Sequence, residues 1–175
     1  MNLIQTSPMW LVILLFAILA AAAIEDFIRL RISNITCGAA LVSALVGMGF
    51  AGFSIDLWQN VVVFLVLLGG GTLLFASGKM GGGDVKLLAA LGLWVNLIAG
   101  VWLLATVLIA GGVLALIYIL VRVSRGQPFS KGYKSKGIPY GIAIAVGTAL
   151  IFAGQYGLIN GLQQRQNPLD IRTLS

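Results

Sequence analysis

The 175-residue chain contains no histidine, a single cysteine (Cys37), four prolines and only 9% charged residues. The missing histidine excludes Ser-His-Asp triads, Cys-His pairs and the usual imidazole-bearing metal sites. One cysteine excludes an internal disulfide and thiolate zinc clusters. Any chemistry therefore falls to carboxylates, Lys or Tyr, and no metal or cofactor is expected. Carboxylates are scarce as well, with five Asp and Glu against eleven Lys and Arg, for a net charge of +6. In a soluble protein that excess would suggest nucleic acid, but here 59% of the residues are hydrophobic. A chain this apolar belongs in a bilayer, where the placement of the basic residues among loops carries the information. The expected partners are membrane lipid and no nucleic acid.

Charge-free stretches occupy residues 1–24, 32–55, 57–78, 87–121 and 137–164, each long enough to meet the requirement of about 18–20 apolar residues per crossing. The first resembles a signal peptide in length only. Met1 to Pro8 has no Lys or Arg and no small-residue cleavage pattern follows Leu19 to Ile24, so a retained helix is expected. The stretch 87–121 would be roughly 52 Å long as one helix, against a hydrocarbon core of about 30 Å. A break is expected at Gly92-Leu93-Trp94-Val95-Asn96, which joins a glycine, an aromatic of the interfacial type and a turn-forming Asn. The expectation is an all-α, polytopic helical bundle with about six transmembrane helices, near 9–24, 35–53, 58–76, 85–94, 97–121 and 138–158. It forms a single membrane domain over 1–175 with no soluble domain.

The basic residues test this count independently. Arg29 and Arg31 fall in the first loop, Lys79 and Lys86 about the third, and Arg122, Arg125, Lys131, Lys134 and Lys136 in the fifth. Only Arg165 and Arg172, in the tail, lie on the other side. The pattern implies an outward N-terminus with loops one, three and five in the cytoplasm. Five spans would turn the most basic loop outward, so parity favours the split.

That topology sorts the carboxylates. Glu25-Asp26 end the first span and Asp84 precedes the fourth, so both positions face the cytoplasmic half. Asp56 lies in an outer loop and Asp170 in the tail. Asp26 and Asp84 are therefore the natural pair. Val85 to Trp94 covers only about 15 Å, which places Asp84 near or below the membrane surface, where ionisable groups usually mark a water-filled functional path. Gly81, Gly82 and Gly83 would let the backbone leave helical geometry and let another segment, or an extended peptide, come close. Structural readings stand beside these. Asp84 as the N-cap of its helix, Glu25 with Arg29 as an i, i+4 pair and Asp26 with Arg29 at i, i+3 all fit the spacing. A phosphate-binding loop does not fit, since no GK[ST] follows the glycines.

Two aspartates in one pocket can share a proton: one carboxylate draws a proton from water while its protonated partner polarises a peptide carbonyl. A proton or cation relay in a small transporter is the rival use of the same pair, although no paired repeat is visible. A third reading is a non-catalytic subunit of a larger assembly.

The segment GGGD at Gly81–Asp84 has the GxGD form of intramembrane aspartic peptidases, and "GGGDVKLLAALGLW" resembles the type IV prepilin peptidases. "DFIRLRISN", from Asp26, resembles the first aspartate site of the short Flp/Tad-type members, and Tyr140-Gly141 in "GIPYGIAIAVG" matches their late Pro-Tyr-Gly segment. The three motifs span most of the chain in the family's order. The resemblance implies a multi-pass endopeptidase of the bacterial inner membrane, N-terminus periplasmic, that removes the basic leader of prepilin or pseudopilin precursors at the cytoplasmic face. Asp26 and Asp84 carry over as the catalytic pair. The added cytoplasmic region and cysteine cluster of the methylating relatives are missing here, which implies cleavage without N-methylation. One departure is Ser33, where relatives often have proline before Asn34; it bears on the loop after the first aspartate.

Among the remaining residues, Glu25 is a candidate contact for a cationic leader, whereas the basic residues of 122–136 suit topology and anionic lipid better. Gly69-Gly70-Gly71 suggests close helix packing. Tyr140 reads as a hydrogen-bonding neighbour of the site or as an interfacial anchor. Trp10, Trp58, Trp94 and Trp102 read as belt residues.

Overall fold

The computed structural model describes residues 2–52, 54–78, 80–124 and 140–166. It is all-helical. After a one-turn helix α1 (Leu3–Thr6) come α2 (Met9–Arg29), α3 (Asn34–Ala51), α4 (Leu57–Ala76), α5 (Gly82–Gly92), α6 (Leu97–Ser124) and α7 (Tyr140–Gln166). The six longer helices correspond to the six expected spans. Four of them, α2, α3, α4 and the stretch Leu97–Val121 of α6, are long and apolar enough to cross a membrane. This is a membrane protein, and its lipid-facing surface is correspondingly rich in exposed apolar side chains such as Ile13, Val66, Ile98 and Leu108. The five basic residues Lys79, Arg125, Lys131, Lys134 and Lys136, with Asp170 and Arg172, lie outside the described residues.

The expected break between 92 and 96 is where α5 ends and α6 begins. Asn96 makes it: its side-chain oxygen accepts from the Ala99 N–H at 2.9 Å, capping α6. The N-terminus braces the same turn, with Asn2 Oδ1 accepting from Asn96 N–H and Leu3 N–H donating to Trp94 O, both at 3.0 Å. From α4, the buried Asn60 Nδ2 donates to Leu93 O at 2.8 Å. Trp94 belongs to this knot. It is fully buried rather than at the lipid interface, its ring reaching the position a Cβ on Gly47 would touch. Trp10, Trp58 and Trp102 are more than half exposed, as belt residues should be.

At eleven residues, α5 is about 16 Å long, roughly half the hydrocarbon thickness. It sits at the centre of the bundle, packed on α3 and α4 and touching α7, with Lys86 its most outward residue. Apolar burial alone gives helices little reason to associate in lipid, whose tails are equally apolar. Close packing at small residues and buried hydrogen bonds do so instead. The contacts follow that rule. A Cβ on Gly71 would lie 2.6 Å from Val85, one on Gly92 would lie 3.0 Å from Leu67, and one on Gly147 would lie 2.9 Å from the Val107 backbone. Of the three successive glycines in α4, only Gly71 performs the expected packing role, since Gly69 and Gly70 face open space.

The two ends of the bundle are distinct. α1, the α5–α6 turn and the start of α4 gather at one end. The α2–α3 turn and the start of α5 gather at the other, tied by Lys86 Nζ donating to Asn34 Oδ1 at 2.8 Å. The α7 N-terminus also lies at this second end, because Gly141 meets Asp26 there.

Candidate active site

α2 runs five residues past the expected end of the first span, so Glu25 and Asp26 occupy its last turns. It stops because Leu30 adopts left-handed geometry (φ 52°) and returns its N–H to Asp26 O at 2.8 Å. A non-glycine residue in this region is strained. The chain then turns through Ile32 to Ser33, which caps α3 by accepting from Thr36 N–H at 3.1 Å. Ser33 also donates its own N–H to Glu25 Oε2 at 2.9 Å, and Thr36 Oγ1 donates to the same oxygen at 2.9 Å. Proline at 33 could supply neither the N–H nor the hydroxyl cap. Glu25 thus buttresses the turn below Asp26; its i, i+4 relation to Arg29 is secondary to this.

Asp26 is 3% exposed. Its Oδ2 accepts from Gly141 N–H at 2.6 Å, across 115 positions of sequence, and the Ile142 N–H donates to the same carboxylate. These are orphan donors in the first turn of α7, a position that suits a carboxylate both as hydrogen-bond acceptor and as charge. Only glycine permits the approach. A Cβ at 141 would stand 2.8 Å from Asp26 Cβ and 2.9 Å from Oδ2 and from Ile32 Cδ1.

Asp84 is 8% exposed. It is not the N-cap of α5; that position belongs to Gly81, and Asp84 sits three residues in, its carboxylate accepting from the Gly81 N–H. This is the returning half of a capping box. A Cβ at Gly81 would lie 2.7 Å from Asp84 Oδ2. Only Gly81 is extended, while Gly82 and Gly83 are already helical. Their lack of side chains serves packing: a Cβ at 82 would touch Phe75, and one at 83 would fall 2.7 Å from Ile32 O. The Gly83 carbonyl in turn accepts from Cys37 Sγ at 3.3 Å, which gives the lone cysteine a structural partner.

Ile32 is therefore the shared wall of the site. Its backbone abuts Gly83, next to Asp84, and its side chain abuts Gly141, which holds Asp26. The three sequence motifs meet around this one buried residue. Asp56, by contrast, precedes α4 at the opposite end. The sequence marked Tyr140-Gly141 as a motif and offered a role for Tyr140, but pointed to none for Gly141 or Ile32. A glycine in the first turn of a helix, directly after Pro-Tyr, was the available sign of a close backbone approach.

The family model of the type IV leader peptidases matches residues 13–120, a range that includes both aspartates. The chain belongs to the type IV leader peptidase family. It is accordingly a peptidase of prepilin-type substrates. Neither a curated protein nor a solved structure matches the chain. Gly141 and α7 of this leader peptidase lie beyond the matched range, yet they complete the setting of Asp26.

Proposed function

We propose that the protein is an intramembrane aspartic endopeptidase that cleaves the basic leader from Flp-type prepilins or pseudopilins, without methylating the new terminus. The observation that carries this reading is the burial of Asp26 and Asp84 on either side of Ile32, each carboxylate oriented by backbone N–H groups of a helix N-terminus.

In the proposed reaction the two carboxylates share one proton. The ionised member removes a proton from water as the oxygen attacks the scissile carbonyl, and the protonated member gives its proton to the carbonyl oxygen. Collapse of the tetrahedral intermediate breaks the C–N bond: the newly protonated carboxyl gives its proton to the departing amine while the other carboxylate takes a hydroxyl proton from the gem-diol, so the pair again holds one proton. Backbone N–H groups orient both carboxylates before substrate arrives, so little reorganisation is needed at the moment of reaction. Glycines 81, 82 and 83 set Asp84 at its depth. Glu25, one residue from Asp26 and half-buried, adds negative charge where a cationic leader would enter.

The reading also places the protein in the bacterial inner membrane, with the dyad end cytoplasmic and the N-terminus periplasmic. Arg29, Arg31 and Lys86 at the dyad end accord with that orientation. Co-expression with a candidate precursor tests the function. Asp26→Asn and Asp84→Asn should each remain in the membrane and leave the precursor full length, whereas normal processing by either variant would remove the dyad.

A further inference from the structure

Each carboxylate is held within its own pair of helices. Asp26, in the last turns of α2, is tied to the start of α7 through the Gly141 N–H. Asp84 rides on the first turn of α5, which is tied to the start of α3 twice: Lys86 Nζ donates to Asn34 Oδ1 at 2.8 Å, and Cys37 Sγ donates to the Gly83 carbonyl at 3.3 Å. The short turn 30–33 joins the two halves in the chain, and Ile32 fills the space where they meet. Its Cβ and carbonyl oxygen lie 3.0 and 2.7 Å from where a Cβ on Gly83 would stand, and its Cδ1 lies 2.9 Å from where one on Gly141 would stand. Opposite ends of one buried residue thus bear on the neighbours of the two carboxylates.

We propose that Ile32 is a positioning residue that sets the separation of the Asp26 and Asp84 carboxylates; the proposal rests on the peptidase reading above. Glycine faces Ile32 on both sides, so the backbones beside the two carboxylates rest on it without an intervening side chain. A β-branched residue has few rotamers, which gives the spacer one length. Close-packed neighbours pass a displacement on and absorb little of it. Truncating Ile32 leaves a void that its walls close only in part, and each wall moves with a carboxylate: Gly141 with Asp26, Gly83 with Asp84. An ordinary core residue costs stability when it is cut back. A spacer also costs rate in the molecules that stay folded.

The test measures cleavage of a purified prepilin-type precursor by the full-length protein in liposomes, with rates expressed per folded molecule. Ile32→Ala should lower kcat by about 10²-fold, the scale of a misplacement of about 1 Å, with KM nearly unchanged. Ile32→Val keeps the Cβ against Gly83, shortens only the end against Gly141, and should lower kcat by about 10-fold. It is the deciding variant if Ile32→Ala does not accumulate. Leu11→Ala, a similar truncation of a buried residue near the other end of α2, should leave kcat unchanged. Because a Cβ at position 141 would meet Ile32 Cδ1, Ile32→Val and Gly141→Ala should be coupled, the double variant losing less than the product of the single losses. A kcat that stays at the unaltered value in the Ile32 variants, or a loss confined to KM, would overturn the spacer. So would single losses that simply multiply. An unaltered protein that cleaves no precursor would overturn the peptidase reading and the spacer's role with it.

Discussion

The bundle buries polar side chains at both ends, and the two sets differ in kind. At the α5–α6 turn they are neutral amides: Asn2, Asn60 and Asn96 hold backbone N–H and C=O groups of the turn. At the opposite end they are carboxylates, Glu25, Asp26 and Asp84, held by backbone N–H groups and by the Thr36 hydroxyl. Amides would orient a turn there equally well without the desolvation cost of an ionisable group. On the proposed reading, acids at one end and amides at the other separate a region for chemistry from one for architecture.

Replacing the acids should have the largest effect and break the comparison most sharply. Asp26→Asn and Asp84→Asn each preserve shape but remove the titratable group, and each should lower leader cleavage by about 10²–10⁴-fold, read as unprocessed precursor on gels. Next is Gly141→Ala. Its Cβ would press on Asp26 and Ile32, and misplacement of a catalytic group by about 1 Å is worth about 10²-fold in rate. The loss should appear in kcat with KM nearly unchanged and with the thermal midpoint in detergent kept, which separates positioning from unfolding.

At the amide end the signs should reverse. Asn60→Ala strips the Leu93 carbonyl of a buried donor and should cost about 1–3 kcal/mol of stability, measured by unfolding in mixed micelles, while kcat per folded molecule stays near that of the unaltered protein. Ser33→Pro falls at the carboxylate end but acts on architecture. It removes the cap on α3 and the N–H to Glu25 and should cost about 1 kcal/mol, with a modest fall in cleavage. The smallest effect is expected for Leu30→Gly, which relieves the left-handed residue ending α2 and should gain about 0.5–1 kcal/mol or less after the added chain entropy is counted.

The architecture was legible in the sequence where one physical rule dominated. Apolar runs marked the helices, the 35-residue stretch exceeded any single crossing, and Gly92 with Asn96 supplied the break that the structure shows. Alternation of basic loops then put Asp26 and Asp84 at one end, as the structure also has them. Less was readable where the outcome depends on contacts between distant segments. Leu30 ends α2 without the glycine that normally announces such a stop, so Glu25 and Asp26 read as loop-edge residues and not as helix residues. Trp94 has the composition of a belt residue and is buried because α1 and α3 close over it. The bond from Gly141 to Asp26 joins residues 115 apart, a pairing that no local pattern encodes.

Non-additivity of the two aspartates most directly tests whether they work as one unit. Cleavage of a purified precursor under single-turnover conditions, followed by intact mass over long incubations, should fall as far in Asp26→Asn or Asp84→Asn alone as in the double variant, because a dyad is lost when either member is lost. Losses that multiply in the double variant would mean that the carboxylates contribute independently, and a single shared site could not then account for the reaction.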